Sequence, residues 1–172
     1  IALHYGKLPP SFLPLGNQRL FAMQAELAKG GPVAMTVPLT YQISDLDRLH
    51  INALGIQLLP QDPTLRLTDA IATAVKTLDL TGPLRLLYGD TLIHEMPDRS
   101  SARDTITVQS TASNYQWAYV IANNGALQFS DAAPSQLESR QVVCGDFTFN
   151  DPGALVQACD SGDIVETLNR YH

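Results

Sequence analysis

The stretch "GPLRLLYGDTLIHEM", residues 82–96, is where residue type and spacing first suggest chemistry. An apolar run through Leu84, Leu86, Leu87 and Tyr88 stops at Gly89, and Asp90 follows at once. As plain turn chemistry, the glycine permits the bend and the aspartate solvates it. The same pair also falls where open α/β sheets bind ligands, outside the carboxyl end of a parallel strand. Other chemistry-bearing residues are scattered. His4, His50, His94 and His172 show no metal-ligand spacing, and His50 lies near the apolar face of its helix, where packing is the plainer reading. There is no nucleophile elbow, Walker loop or full dinucleotide fingerprint. Cys144 precedes Gly145 and Asp146 but has nothing near it to activate a thiolate, so it reads as core. Tyr115, Trp117 and Tyr119 alternate at strand spacing; packing is the default for that stripe, with sugar or base stacking as the alternative.

The elements that must carry these residues follow from periodicity and punctuation. Pro9, Pro10 and Pro14 keep residues 1–18 out of a regular helix, and Gly16-Asn17 offers a turn. Leu20, Met23 and Leu27 share one face of a helix expected over 19–29, stopped by Gly30-Gly31. "VAMTV" (33–37) reads as a strand, Ser44 as the cap of a helix closed by Gly55, and "IQLLP" (56–60) as a second strand. Thr68 is expected to cap a third helix over 68–79, and "LRLLY" (84–88) to be a third strand. Alternating strands and helices imply βαβ units, with these three strands neighbouring and parallel in one sheet.

After residue 90 the pattern changes. "TITVQS" (105–110), "QWAYVIANNGALQFSD" (116–131) and "RQVVCGDFTF" (140–149) are strand-like, and Asn123-Asn124-Gly125 signals a hairpin. Asp151-Pro152 opens a helix that Gly162 ends, and Asp163 with Glu166 forms a capping-box-like pair ahead of the last one.

With 172 residues, 45% apolar and 16% charged, the chain is expected to be one globular domain with a substantial core. A net charge of -6 with 11 basic residues spread thinly leaves no electrostatic footprint for nucleic acid, although local cations could still hold a phosphate. No apolar run approaches the ~20 residues that span a bilayer. The opening "IALHYGKLPPSFLP" lacks the apolar core of a signal peptide, and a first residue of Ile suggests a chain that begins inside a longer one. Two cysteines, Cys144 and Cys159, fit a reducing compartment, so a cytoplasmic location is expected.

Two segments read together carry a resemblance. "GKLPPSFLPLGNQRLFAMQAEL" (6–27) resembles the "PK-x-L-L-P-(L/V)-x-(G/N)-K-x-L-(I/Y)-x-x-Q" segment of sugar nucleotidyltransferases, the sugar-nucleotide pyrophosphorylases. Pro9, Phe12, Leu13, Pro14, Leu15, Asn17, Arg19, Leu20 and Gln24 keep that pattern or a near equivalent. "LRLLYGDTLI" resembles the same family's strand ending in Gly-Asp, and "VVCGDFTFNDPGALVQA" is similar to its later "G-x-(Y/F)-x-F-x-x-P" strand and helix. The resemblance spans nearly the whole chain. It implies a Rossmann-like α/β/α sandwich, with a mixed, mainly parallel central sheet and an antiparallel β insertion in the second half. It also implies a nucleoside triphosphate and a sugar phosphate as ligands, Mg2+ held by Asp90, and a setting in capsule or other surface-polysaccharide biosynthesis. Gly89 would let the backbone approach the nucleotide, and Gly16 and Asn17 would line it.

The departures bear on activity. The family's "G-x-G-(T/S)-R" phosphate loop is absent, either lying before Ile1 or lost. The family lysine after Pro9 is Pro10, which carries no charge and donates no hydrogen bond. Lys7 and Arg19 are the nearest cations that could substitute for it, which makes them, with Asp90, the catalytic candidates, and Asp146 and Asp151 are candidates for a second metal-binding aspartate by position only. Three classes stay open: an active nucleotidyltransferase; a degenerate nucleotide-sugar binding or scaffold module, one form of which serves other domains of a longer polysaccharide-biosynthesis protein; and a metal-dependent glycosyltransferase. The last would favour an Asp-x-Asp pair that "GDTLI" lacks.

Overall fold

A computed structural model describes residues 8–28, 30–93, 103–111, 118–123, 126–134 and 140–172. The chain divides into two compact units, Ile1–Leu65 with Gly89–Ser100, and Arg66–Tyr88 with Ser101–His172.

In the first unit a 3-10 turn, Pro10–Phe12, leads into a small antiparallel hairpin of β1 (Pro14–Leu15) and β2 (Gln18–Arg19). Gly16, at φ +61, makes the tight turn between them, and Leu20 N closes it on Leu13 O at 2.9 Å. Helix α1 (Leu20–Glu26) follows, shorter than the expected 19–29. Its buried residues are Leu20, Phe21 and Ala22. Strand β3 (Val33–Pro38), helix α2 (Asp45–Ala53) and strand β4 (Ile56–Gln61) then form a parallel βαβ unit in which Val33 faces Ile56. As expected, Ser44 caps α2, accepting from Asp47 N at 3.1 Å. Phe12, Phe21, Val37, Ile51 and Ile56 make the core of this unit. The Phe12 ring meets Phe21 edge-on and Tyr41 at a tilt, with centroids 5.3 and 4.8 Å away.

The second unit is built on a five-stranded sheet. Strand β9 (Gln141–Phe149) is its spine and pairs antiparallel with β5 (Leu84–Leu87), β6 (Thr105–Ser110) and β7 (Tyr119–Asn123). β7 also pairs with β8 (Ala126–Ser130) as the hairpin signal predicts, with Asn123 opposite Ala126. Helices α3 (Leu67–Thr77), α4 (Pro152–Ala158) and α5 (Ile164–Tyr171) contribute Ile71, Val75, Leu155 and Leu168 to a core shared with Phe129, Phe147 and Phe149. Asp151 and Asp163 cap α4 and α5 as expected, accepting from Ala154 N and from Val165 N and Glu166 N. Glu166 does not reach back in a capping box; it pairs with Arg170 one turn on.

Two expectations are corrected. Strand β5 forms where expected but is not a parallel neighbour of β3 and β4: it runs antiparallel to β9, with Leu84 opposite Phe149 and Leu86 opposite Phe147. A four-residue apolar run encodes burial but not direction, and those two phenylalanines supply its partner. Among the described residues β3–β4 is the one parallel pair, so the fold is mixed α/β rather than mainly parallel. The second correction is Thr68. Arg66 takes the N-cap position of α3, while Thr68 sits inside the first turn, 1% exposed, with its hydroxyl unpartnered. Its neighbours bury it too deeply for a cap.

An open edge strand is managed by a side chain. Asn169 of α5 lays its amide along β8, accepting from Phe129 N at 2.8 Å and donating to Phe129 O at 2.9 Å. That contact occupies backbone groups through which edge strands otherwise pair with other chains. No helix among the described residues is long and apolar enough to cross a membrane.

Candidate functional site

The two segments that carried the resemblance meet in the first unit. The amide of Gln24 on α1 donates to Thr91 O at 2.7 Å, which ties the residues after β5 to α1. Gly89 packs against Ser11 of the 3-10 turn so closely that a Cβ at position 89 would lie 2.6 Å from Ser11 Oγ. Gly89 is not among the positive-φ glycines. A Cβ at 89 would force the Ser11 hydroxyl to turn away, so the glycine there serves close approach more than the bend that the plain turn reading gave it. Asp90 is exposed, with the Thr91 hydroxyl 3.4 Å from Oδ1. Gly16 and Asn17, both exposed, form the β1–β2 turn in the same unit.

Arg19 is committed elsewhere. Its Nε and Nη2 donate to Asp47 Oδ1 and Oδ2 at 2.8 and 3.2 Å, and Nη1 donates to Phe12 O at 3.1 Å. This two-pronged pair fastens the hairpin to the start of α2. Burial alone pushes the Asp47 carboxyl up, but hydrogen bonds from Arg19 and Ser44, with the charge of Arg19, bring it below the usual carboxylate range. A folded-state value below the unfolded one, about 3.9, contributes stability above that pH and loses it as pH falls through the folded value. Acid titration of stability should therefore show a loss below about pH 4 that Asp47→Asn reduces, at the cost of lower stability at neutral pH. An unchanged acid limb in the variant would show that the pair contributes nothing. The signal for Asp47 was present in the sequence, since it stands three residues after the Ser44 cap.

Lys7, His4, His94, Tyr115 and Trp117 lie outside the described residues. Tyr119 is buried, 1% exposed. His50 is exposed and meets the Phe21 ring edge-on, centroids 6.5 Å apart. Burial, then the charge of Asp146, pushes the Cys144 thiol up, the opposite of activation. Asp146 is fully buried, accepting from Arg85 Nε at 2.8 Å and Thr107 Oγ1 at 2.7 Å. Asp151 is spent as the α4 cap. No group of three metal-ligating side chains occurs among the described residues. A lone exposed carboxylate such as Asp90 still suits Mg2+, which keeps several waters and takes one or two carboxylates beside substrate phosphates. A cavity of about 500 Å3 opens at the carboxyl ends of β3 and β4, lined by Val37, Pro38, Tyr41, Ile43, Arg48 and Pro60 among others.

Among solved structures the chain is similar to the nucleoside-diphosphate-sugar pyrophosphorylase from Vibrio cholerae RC9, with 15% identity and a TM-score of 0.73, over 98% of this chain and 81% of that one. It is also similar to apo-UDP-glucose pyrophosphorylase, with 12% identity and a TM-score of 0.63, over 94% of this chain and 78% of that one. No protein-family model matches the chain, and no curated protein matches it. At these identities the likeness is one of fold, and the fold is sugar nucleotidyltransferase-like.

Proposed function

We propose that the chain is a nucleotidyltransferase-like domain that binds a nucleoside triphosphate and a sugar phosphate beside the Gly89–Asp90 turn. The observation that carries this reading is the junction of residues 11–24 with 89–91, made by the Gly89–Ser11 contact and the Gln24–Thr91 hydrogen bond. Asp90 would hold Mg2+, which when bound neutralises phosphate charge and orients the phosphates. Gly89, whose bare Cα is met on one side by Ser11 Oγ, would face the nucleotide through its backbone, and Gly16 and Asn17 offer an exposed turn to it. In nucleotidyl transfer a sugar 1-phosphate oxygen attacks the α-phosphorus and pyrophosphate leaves, so alignment and charge neutralisation are what the protein supplies. Surface-polysaccharide synthesis, capsule included, is the setting proposed from the resemblance, and a cytoplasmic location goes with such substrates.

One observation favours a second reading, a catalytically degenerate binding module. Pro10 supplies no cation, and the Arg19 guanidinium is already paired with Asp47. Reduced or lost turnover with retained binding follows from that pairing.

Calorimetric titration with magnesium and each common nucleoside triphosphate tests the proposal. The chain should bind at least one of them in a magnesium-dependent way. Asp90→Asn should weaken that binding at least tenfold with little change in melting temperature, since an exposed turn tolerates Asn. Equal affinity in both proteins would return Asp90 to a turn residue.

A further inference from the structure

Ser11 is unusual among the polar residues of the first unit. It is 9% exposed, and among the described residues neither its hydroxyl nor its N–H has a hydrogen-bond partner. Its Oγ is not one of the fully enclosed unpartnered side-chain atoms, which among the described residues are Thr68 Oγ1, Arg85 Nη2 and Thr105 Oγ1, so the hydroxyl keeps a path to a ligand at the surface. Nor is its placement generic: its Oγ rests against the bare Cα of Gly89, one residue before the exposed carboxylate of Asp90. Any side chain at 89 would push against that hydroxyl, whereas glycine leaves it at the face of the turn.

We infer that Ser11 is a ligand-binding residue, whose hydroxyl donates to a phosphate oxygen of the molecule held beside Asp90. The chemistry is matched. A hydroxyl of this kind donates well to an anionic oxygen, and such bonds are shorter and stronger than neutral ones. Two donors of one residue, Oγ–H and N–H, sit on the same side as Gly89, since a Cβ there would lie 2.6 Å from the first and 3.6 Å from the second. Pro10, immediately before, has neither charge nor N–H, so Ser11 supplies the donors its neighbour cannot. The inference rests on the proposed nucleotide site and adds a residue to it.

Ser11→Ala tests it by titration with the common nucleoside triphosphates and with inorganic pyrophosphate, magnesium present throughout. The expected result is binding weakened roughly ten- to a hundredfold, with the melting temperature held or raised. A second variant separates chemistry from packing. Gly89→Ala alone should disturb the turn, but with Ser11→Ala its Cβ faces the backbone N and the Cβ of residue 11, at 3.6 and 3.8 Å, both ordinary contacts. The pair should therefore fold as well as wild type and still bind weakly. Titrating the unaltered protein while following the Ser11 amide resonance is independent of any variant, and that resonance should move on binding. Wild-type affinity in Ser11→Ala, or a stationary Ser11 amide during saturable binding, overturns the inference and leaves the nucleotide site standing. Absence of binding by the unaltered protein overturns both.

Discussion

Asp146→Ala should lower the stability of the second unit by about 3 kcal/mol or more. The carboxylate is fully buried in β9 and accepts from Arg85 on β5 and Thr107 on β6, so it links three strands of one sheet. A register shift between Ile106 and Val108, with Gly145 at φ +73, marks the bulge that aims Asp146 at both partners. Removing the acid leaves the Arg85 charge, whose side chain is only 22% exposed and whose Nη2 already lacks a partner, without its counter-ion. That residual exposure keeps the expected loss near the lower end for broken buried pairs. Converting both partners, as in Arg85→Met with Asp146→Leu, should recover most of the loss, because the cost arises from an unpaired charge more than from a missing attraction. Urea denaturation of the three proteins decides the matter. A loss under about 1 kcal/mol in Asp146→Ala, the size expected of an exposed pair, would contradict it.

Pyrophosphate release by the unaltered chain should be very slow or absent with any pair of nucleoside triphosphate and sugar 1-phosphate. Pro10 stands where the resembled family has a lysine, and Arg19 is held by Asp47. Losing one charge-stabilising contact in the transition state typically costs about 3 to 4 kcal/mol, or roughly a hundredfold or more in rate. Pro10→Lys should therefore raise whatever turnover exists. Pro10 opens a three-residue 3-10 turn and donates no hydrogen bond, and the bond its carbonyl accepts from Leu13 N is backbone, so the substitution breaks no bond. Turnover of about 1 per second or faster by the unaltered chain would show that another group supplies the missing charge.

What was legible in the sequence was local. Ser44, Asp151 and Asp163 announced their helices because a cap is a relation between residues two or three apart. Strand β6 and the β7–β8 hairpin were legible from alternation and turn residues. The direction of β5 was not, because an apolar tetrapeptide pairs either way and its partner β9 lies far along the chain. Thr68 misled for a related reason, since a residue suited to capping is equally suited to filling a buried first turn. At the candidate site, Asp90 was visible through its motif, but Ser11 was not. Its significance comes from contact with Gly89, and nothing in the local pattern of "LPPSFLP" predicts that neighbour. The pairing of Arg19 with Asp47 was equally nonlocal and changes the meaning of a residue first read as a candidate to replace the missing lysine.

The most direct measurement is where a nucleotide binds. Backbone amide resonances of the isotopically labelled chain, followed during titration with magnesium and a nucleoside triphosphate that binds, would locate it residue by residue. The account predicts saturable shifts at Ser11, Gly16, Asn17, Gly89, Asp90 and Thr91, lost when magnesium is chelated. Shifts confined to the cavity lined by Val37, Tyr41 and Arg48, or none with any of the common triphosphates, would contradict it.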